Sequence, residues 1–235
     1  LNNCIFKWNL AENNTTYDPA KGGGIYNRMS NLELTDCTFI ENSAGGGGGI
    51  NSEDDSSLIL TKCTFKDNVA RVVFGGGMCN EDGNELELIN CTFSGNSAKR
   101  EGGGIFNRRS SSTLTNCIFS GNKVIGTSPN TSEGGGLYAF GNARLINCTF
   151  TGNWALQDRA ISKYGSSVLR LRNCILWDGG NEISKSNPST LTVTYSNIQG
   201  SMEGEGNIDA DPCFADPGYW ADADDPNIVA DPNDP

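Results

Sequence analysis

The sequence predicts an all-β solenoid, a parallel β-helix of seven to eight coils, followed by an irregular segment rich in Asp and Pro. Three observations predict it. A Cys-x-Phe phrase recurs every 26 to 33 residues, apolar residues around it alternate with period two, and a glycine-rich phrase returns between its copies. Self-similarity at such a period, in pieces too short to bury their own apolar side, marks a stacked repeat rather than a globule.

The Cys phrase comes first. Cys-Thr-Phe or Cys-Ile-Phe stands at Cys4, Cys37, Cys63, Cys91, Cys117 and Cys148, Cys-Ile-Leu follows at Cys174, and Ser196 fills the slot in an eighth copy. Three residues before each slot stand Leu1, Leu34, Leu60, Leu88, Leu114, Leu145, Leu171 and Val193. Alternation along Leu-x-Leu and Cys-x-Phe predicts short strands whose Leu, Cys and Phe side chains all point inward. Leu34 and Cys37 are three apart, so one residue must absorb a bend. Asp36, Lys62, Asn90, Asn116, Asn147 and Asn173 occupy that slot, and Asn and Asp tolerate the left-handed backbone a sharp corner needs.

Five residues after each of the first six ladder Cys stands an Asn, at positions 9, 42, 68, 96, 122 and 153. The column Asn42, Asn68, Asn96, Asn122 and Asn153 reads as a turn ladder whose amides bond to one another and to the backbone. The glycine phrase ends at Ile25, Ile50, Met78, Ile105 and Leu137, with glycine-free versions at Ile161 and Ile183. It predicts a corner that needs positive φ and close backbone approach, and no Lys-Ser/Thr follows it to make a phosphate loop. From these residues to the next Cys slot the distance is 12, 13, 13, 12, 11, 13 and 13 residues, whereas the return from Cys takes 21, 13, 15, 14, 20, 13 and 9. All length variation falls at one corner, with insertions at 10–21 and 123–133.

The repeated Gly-Gly-x-Ile followed by Phe-x-x-Asn resembles the repeat signature of chlamydial polymorphic outer-membrane proteins. The wider form, Leu-x-Leu-x-Asn-Cys-Thr-Phe-x-x-Asn-x-Ala, is similar to β-helix repeats in large secreted proteins of planctomycete-type bacteria. The resemblance covers residues 1 to about 200. It implies a right-handed, three-sided parallel β-helix of the pectin-lyase-like type, exported and surface-associated. It names no ligand, because many functions share such a fold.

Composition narrows the function. The formal charge is -11 and there is no His among 235 residues. That balance argues against nucleic acid and anionic membrane surfaces, whose affinity comes from Lys and Arg neutralising phosphates. No apolar run is long enough to cross a bilayer, so no membrane insertion is expected. The chain starts inside a repeat without an initiator Met, so it reads as a mature piece of something longer. An extracellular or cell-surface location is the expectation.

The ladder cysteines Cys4, Cys37, Cys63, Cys91, Cys117, Cys148 and Cys174 read as small buried hydrophobes. Their spacing lacks the Cys-x2-Cys clustering of zinc sites, and parallel Cβ vectors oppose disulfides between rungs. Cys79 and Cys213 lie outside the file, with Cys79 expected to face outward. Outward acids at Glu33, Asp54, Asp55, Glu85 and Glu87, and bases at Arg108, Arg109, Arg144, Arg170 and Arg172, read as a solvated face. They gather no three acids on adjacent rungs, so no catalytic residue is assigned. Tyr26, Phe106 and Tyr138 follow the inward residue of the glycine phrase; with Arg108 they are the candidate binding face for sugar rings, against packing beneath loops.

Residues 1–200 therefore form the solenoid and 201–235 a separate Asp-Pro-rich cap or linker. Within it, Asp209, Asp211, Asp216, Asp222, Asp224 and Asp225 are candidate Ca²⁺ ligands, although their spacing is not that of an EF-hand loop. Ile208, Phe214, Tyr219 and Trp220 are candidates to cover the open end of the solenoid. The expected function is a non-catalytic scaffold for adhesion or assembly, with surface polysaccharide or other protein subunits as partners. A carbohydrate-active lyase or hydrolase, and a subunit that stacks end to end into filaments, are the alternatives.

Overall fold

Three long parallel sheets wrap one narrow core in the computed structural model, which describes residues 1–12, 19–128, 131–185, 190–214, 220–221 and 229–230. The Cys-x-Phe strands stack into an eight-stranded wall running from Ile5–Lys7 to Asn197–Ile198. The strands after the glycine phrase make a seven-stranded wall from Ile25–Arg28 to Ile183–Lys185. The Leu-x-Leu strands make a third wall, also of seven, from Asn31–Thr35 to Thr190–Thr194. No helix occurs among the described residues.

Register follows the repeat. Phe39 pairs with Phe65, Phe65 with Phe93, and Phe93 with Phe119. Both long insertions leave it undisturbed, since Phe6 still pairs with Phe39 and Phe119 with Phe150. The rings stack face to face, with centroids 4.7, 4.7, 4.5, 5.1 and 4.5 Å apart from Phe6 to Phe150. Each is a large apolar side chain taken out of water, worth roughly 2–3 kcal/mol. Beside them the inward Cys, Leu and Ile columns complete one continuous core.

The bends form where the sequence places them. Asp36, Lys62, Asn90, Asn116, Asn147 and Asn173 all have φ between 52 and 55°. At the glycine corner Gly22, Gly47, Gly75, Gly102 and Gly134 are left-handed, and in the two coils without the Gly-Gly-Gly phrase Asp158 and Asn181 take that conformation.

The Asn ladder is continuous and buried. Asn42 Nδ2 donates to Asn68 Oδ1 at 3.0 Å, and Asn68, Asn96 and Asn122 each repeat the bond to the next Asn at 2.9 Å. Each amide also bonds the carbonyl of the Phe one coil back, as Asn96 does to Phe65 O at 3.0 Å. Past Asn153 the column does not end: Asp178, one residue out of phase, accepts from Asn153 Nδ2 at 3.1 Å. Burial and the neighbouring Glu182 push Asp178 well above the usual carboxylate range.

Two features add to the sequence reading. The strands Ser43–Ala44, Val69–Ala70, Ser97–Ala98 and Lys123–Val124 make a short fourth sheet at the corner after the Asn column. At the C-terminal end, residues past 200 do not leave the solenoid at once. Ile198 N donates to Ile208 O at 3.0 Å and Ile208 N to Ser196 O at 2.9 Å, adding a partial rung. Met202 packs against the core there, whereas Ile208 is 57% exposed and supplies only its backbone. Phe214 is partly buried and Tyr219 lies outside the described residues. Trp220–Ala221 pairs antiparallel with Val229–Ala230, apart from the three walls.

Candidate functional site

The outer face of the glycine wall gathers most of the unusual side chains. One residue after the inward Ile, the register aligns Tyr26, Asn51, Cys79, Phe106, Tyr138 and Ser162. Tyr26 is 48% exposed, whereas Phe106 is 3% and Tyr138 8% exposed. Of the two readings of these aromatics, an open face and packing beneath other chain, the burial of Phe106 and Tyr138 fits the second, while Tyr26 stays open. Phe74, just before Gly75, stacks on Phe106 with centroids 4.3 Å apart, and Phe106 stacks on Tyr138 at 5.0 Å. With Cys79 and Phe140 these rings form a second small core outside the main one. Cys79 thus faces away from the main core, as expected, yet is 1% exposed. All nine cysteines are free.

Charges flank this strip. Arg108 is held by Glu81 at 2.9 Å and Asp82 at 3.3 Å, so it is not poised for a ligand. Arg109 also reaches Asp82, at 3.3 Å. Tyr26 donates to Glu53 and Lys21 pairs with Glu53 at 2.6 Å. Burial would raise Glu53, but these bonds hold its carboxyl below the usual value. Arg28 lies 2.6 Å from Asp54.

On the other flank lie acids that sequence reasoning missed. Glu101 and Glu133 each immediately precede a Gly-Gly-Gly phrase on consecutive coils. The signal was there: an identical slot, four before the inward apolar residue, carrying Glu twice in succession. Glu101 Oε2 is buried without a hydrogen-bond partner. Burial, reinforced by the Glu133 charge, pushes Glu101 up to about 7. Burial also raises Glu133, which accepts from Ser162 Oγ at 2.9 Å, and Asp158 beyond it. A carboxyl raised as far as Glu101 can carry a proton near neutrality and so serve acid-base chemistry.

The pH response of stability follows from the sign of these shifts. A carboxyl whose folded value is raised favours the folded state below its unfolded value and loses that contribution as pH climbs through its folded value. For Glu101 the window runs from 4.5 to about 7. The wild type should therefore be less stable at pH 8 than at pH 5. Glu101→Gln should recover roughly 1–2 kcal/mol of that loss, allowing for partial solvent screening. Urea midpoints of the two proteins at both pH values check this; equal gains at pH 5 and pH 8 would contradict it.

The remaining candidates are scattered. Glu33, Glu87, Arg144 and Arg170 lie along one outward column of the Leu wall, with Ile59 between the two acids and Arg144 beside Arg170. A shallow groove of roughly 360 Å³ crosses that wall at Glu85 and Glu87, beside Ser57, Ser111 and Thr113. In the C-terminal segment Asp209 accepts from Ser201 Oγ at 3.0 Å and Asp211 from Cys213 N at 2.8 Å. Asp216, Asp222, Asp224 and Asp225 lie outside the described residues. No three acids, thiols or imidazoles converge on a point among the described residues.

Coils in register, parallel walls and inward ladders define a β-helix repeat protein, and comparison with known families agrees. The family described as the right handed beta helix region matches residues 2–124 and 78–206. The chain belongs to this family. No curated protein and no solved structure gives a match to it.

Proposed function

We propose that this chain is a non-catalytic extracellular module, a rigid rod that presents its corner loops to a surface polysaccharide or to another protein subunit. The observation that carries the reading is the pair of insertions at 10–21 and 123–133. Both leave the solenoid at the corner between the Phe wall and the glycine wall, and the chain re-enters in register at Lys21 against Gly46 and Glu133 against Gln157. Loops that vary on a scaffold held constant are where recognition resides. Burial of Phe106 and Tyr138 and the ion pairs of Arg108 favour the loops over the wall as the binding face.

The test is binding of the soluble module to a polysaccharide and protein panel, with each insertion in turn cut to the length of the link after Cys37. Loss of binding in one trimmed variant, with the β-sheet spectrum retained, is the expected result. Binding unchanged in both would overturn the reading.

A second reading, a carbohydrate-active enzyme, is favoured by the raised Glu101 and Glu133 carboxyls on adjacent coils. Stacking places such slots about 4.8 Å apart, near the roughly 5 Å carboxyl separation of retaining glycosidases. It requires release of reducing or unsaturated sugar ends, abolished by Glu133→Gln.

A further inference from the structure

Seven thiols stand in single file inside the solenoid, at Cys4, Cys37, Cys63, Cys91, Cys117, Cys148 and Cys174, all packed into the main core. Their geometry repeats from rung to rung. Every Sγ donates to the carbonyl two residues before it, at 3.3 to 3.5 Å. From Cys37 onward each also reaches a Leu carbonyl in an earlier coil, at 3.4 to 3.8 Å. One rotamer is thus shared by the whole file, and neighbouring sulfurs are separated by the rise of the stack. The Phe column two residues away measures that rise as 4.5 to 5.1 Å.

That spacing has a chemical match. A two-coordinate ion with metal–sulfur bonds of about 2.3 Å spans about 4.6 Å between its sulfurs. Soft monovalent d10 cations, copper(I) and silver(I), accept such coordination and prefer sulfur ligands. Three ligands do not converge on one point among the described residues. The file offers pairs and nothing higher, which disfavours tetrahedral zinc.

We propose that the cysteine file is a binding site for soft monovalent d10 cations, each ion bridging two consecutive thiols. Burial sets the charge balance. One thiol gives up its proton and the other keeps it, binding through a lone pair while still donating to its carbonyl. The change is M⁺ + 2 RSH → RS–M–S(H)R + H⁺, neutral inside the core, where an uncompensated charge is costly. An ion using two thiols leaves neither for the next gap, so seven thiols hold three ions with one thiol left over.

Pairing makes the capacity depend on where a thiol is lost. Removing Cys91 splits the file into runs of three and three, which hold two ions. Removing Cys117 leaves runs of four and two, which still hold three. Cys37→Ser leaves one and five and so holds two, whereas Cys63→Ser leaves two and four and holds three.

The experiment refolds the fully reduced chain with silver(I), in a Cys79→Ser, Cys213→Ser background that removes both thiols outside the file. Surface ions are then stripped with excess competing thiol, and retained ions are counted by native mass spectrometry. The parent should keep three silver ions, each replacing one proton in mass, with its β-sheet spectrum intact. Cys117→Ser should keep three and Cys91→Ser two. The Cys63→Ser and Cys37→Ser pair repeats the test should either of the first two fail to fold. No retained silver in the folded parent, or equal losses in both members of a pair, overturns the proposal.

Discussion

Asn122→Leu should cost the solenoid about 4 kcal/mol, although the new side chain is apolar and close in volume. Asn122 Oδ1 accepts from Asn96 N at 3.2 Å and from Asn96 Nδ2 at 2.9 Å. Its own Nδ2 donates to Phe93 O and to Asn153 Oδ1, both at 2.9 Å. Leucine strands Asn96 N and takes one bond each from Phe93 O, from Asn96 Nδ2, which keeps Phe65 O, and from Asn153 Oδ1, which keeps Asn122 N, where Asn96, Asn122 and Asn153 are at most 1% exposed. Each stranded group costs about 1–3 kcal/mol, and partial relaxation makes the sum less than additive. Because each coil touches only its neighbours, the loss falls on the two interfaces that flank the Asn122 coil, and a stack weakened there can part there. Urea unfolding followed by circular dichroism should show a lower midpoint and a broadened or split transition. A single transition at the wild-type midpoint would show that the ladder is ornamental. The exposed Asn ladder offers the contrast: Asn116 Nδ2 bonds Asn90 Oδ1 at 3.0 Å in contact with water, and Asn116→Ser should cost below about 1 kcal/mol.

What was legible in the sequence is what repeats. The Cys, Phe, Leu and Asn columns and the bend residues are each present six or seven times, and period-two alternation assigns a face to every one. Features built once were not legible. Phe106 is covered by Phe74, which lies in the preceding link and in a different register slot, and Phe106 in turn stacks on Tyr138. Alternation says that Phe106 faces away from the main core; it cannot say that another ring lies on top. Asp178 continues the Asn ladder from one position early, so a search for Asn five residues after Cys passes over it. The fourth sheet has strands of two residues, too short to show a period. Glu101 and Glu133 were legible in principle, because they share a slot before Gly-Gly-Gly, but the glycines drew the reading to backbone geometry.

The sharpest contrast in expected outcome lies between Gly103, inside a glycine phrase, and Gly121, outside it. Gly103→Ala should abolish or gravely weaken folding, whereas Gly121→Asn should change stability by less than about 1 kcal/mol. Gly121 is left-handed, with φ 62°, so a β-carbon there carries a conformational penalty. Yet an added β-carbon would meet only Gly95 N, at 3.9 Å, and the equivalent positions hold Trp8, Glu41 and Asp67 at φ 51 to 58°. Asn accepts that conformation readily. Gly103 raises the opposite problem, one of space and not of φ. Its β-carbon would lie 2.5 Å from Gly135 O and 2.7 Å from both Lys123 N and Lys123 C. All three are backbone atoms, and two coils would have to move to admit one methyl group. Gly135 is itself tied to the next coil through Gly136 N and Arg159 O at 3.1 Å and its neighbours, so the displacement propagates along the wall. Overpacking a close-packed interior usually costs about 1–3 kcal/mol when side chains can yield, and here the yielding atoms are hydrogen-bonded backbone. Soluble yield and thermal midpoint of the two variants, measured side by side, decide the matter. Comparable midpoints would mean that the glycine runs serve backbone conformation alone and not the close approach of successive coils.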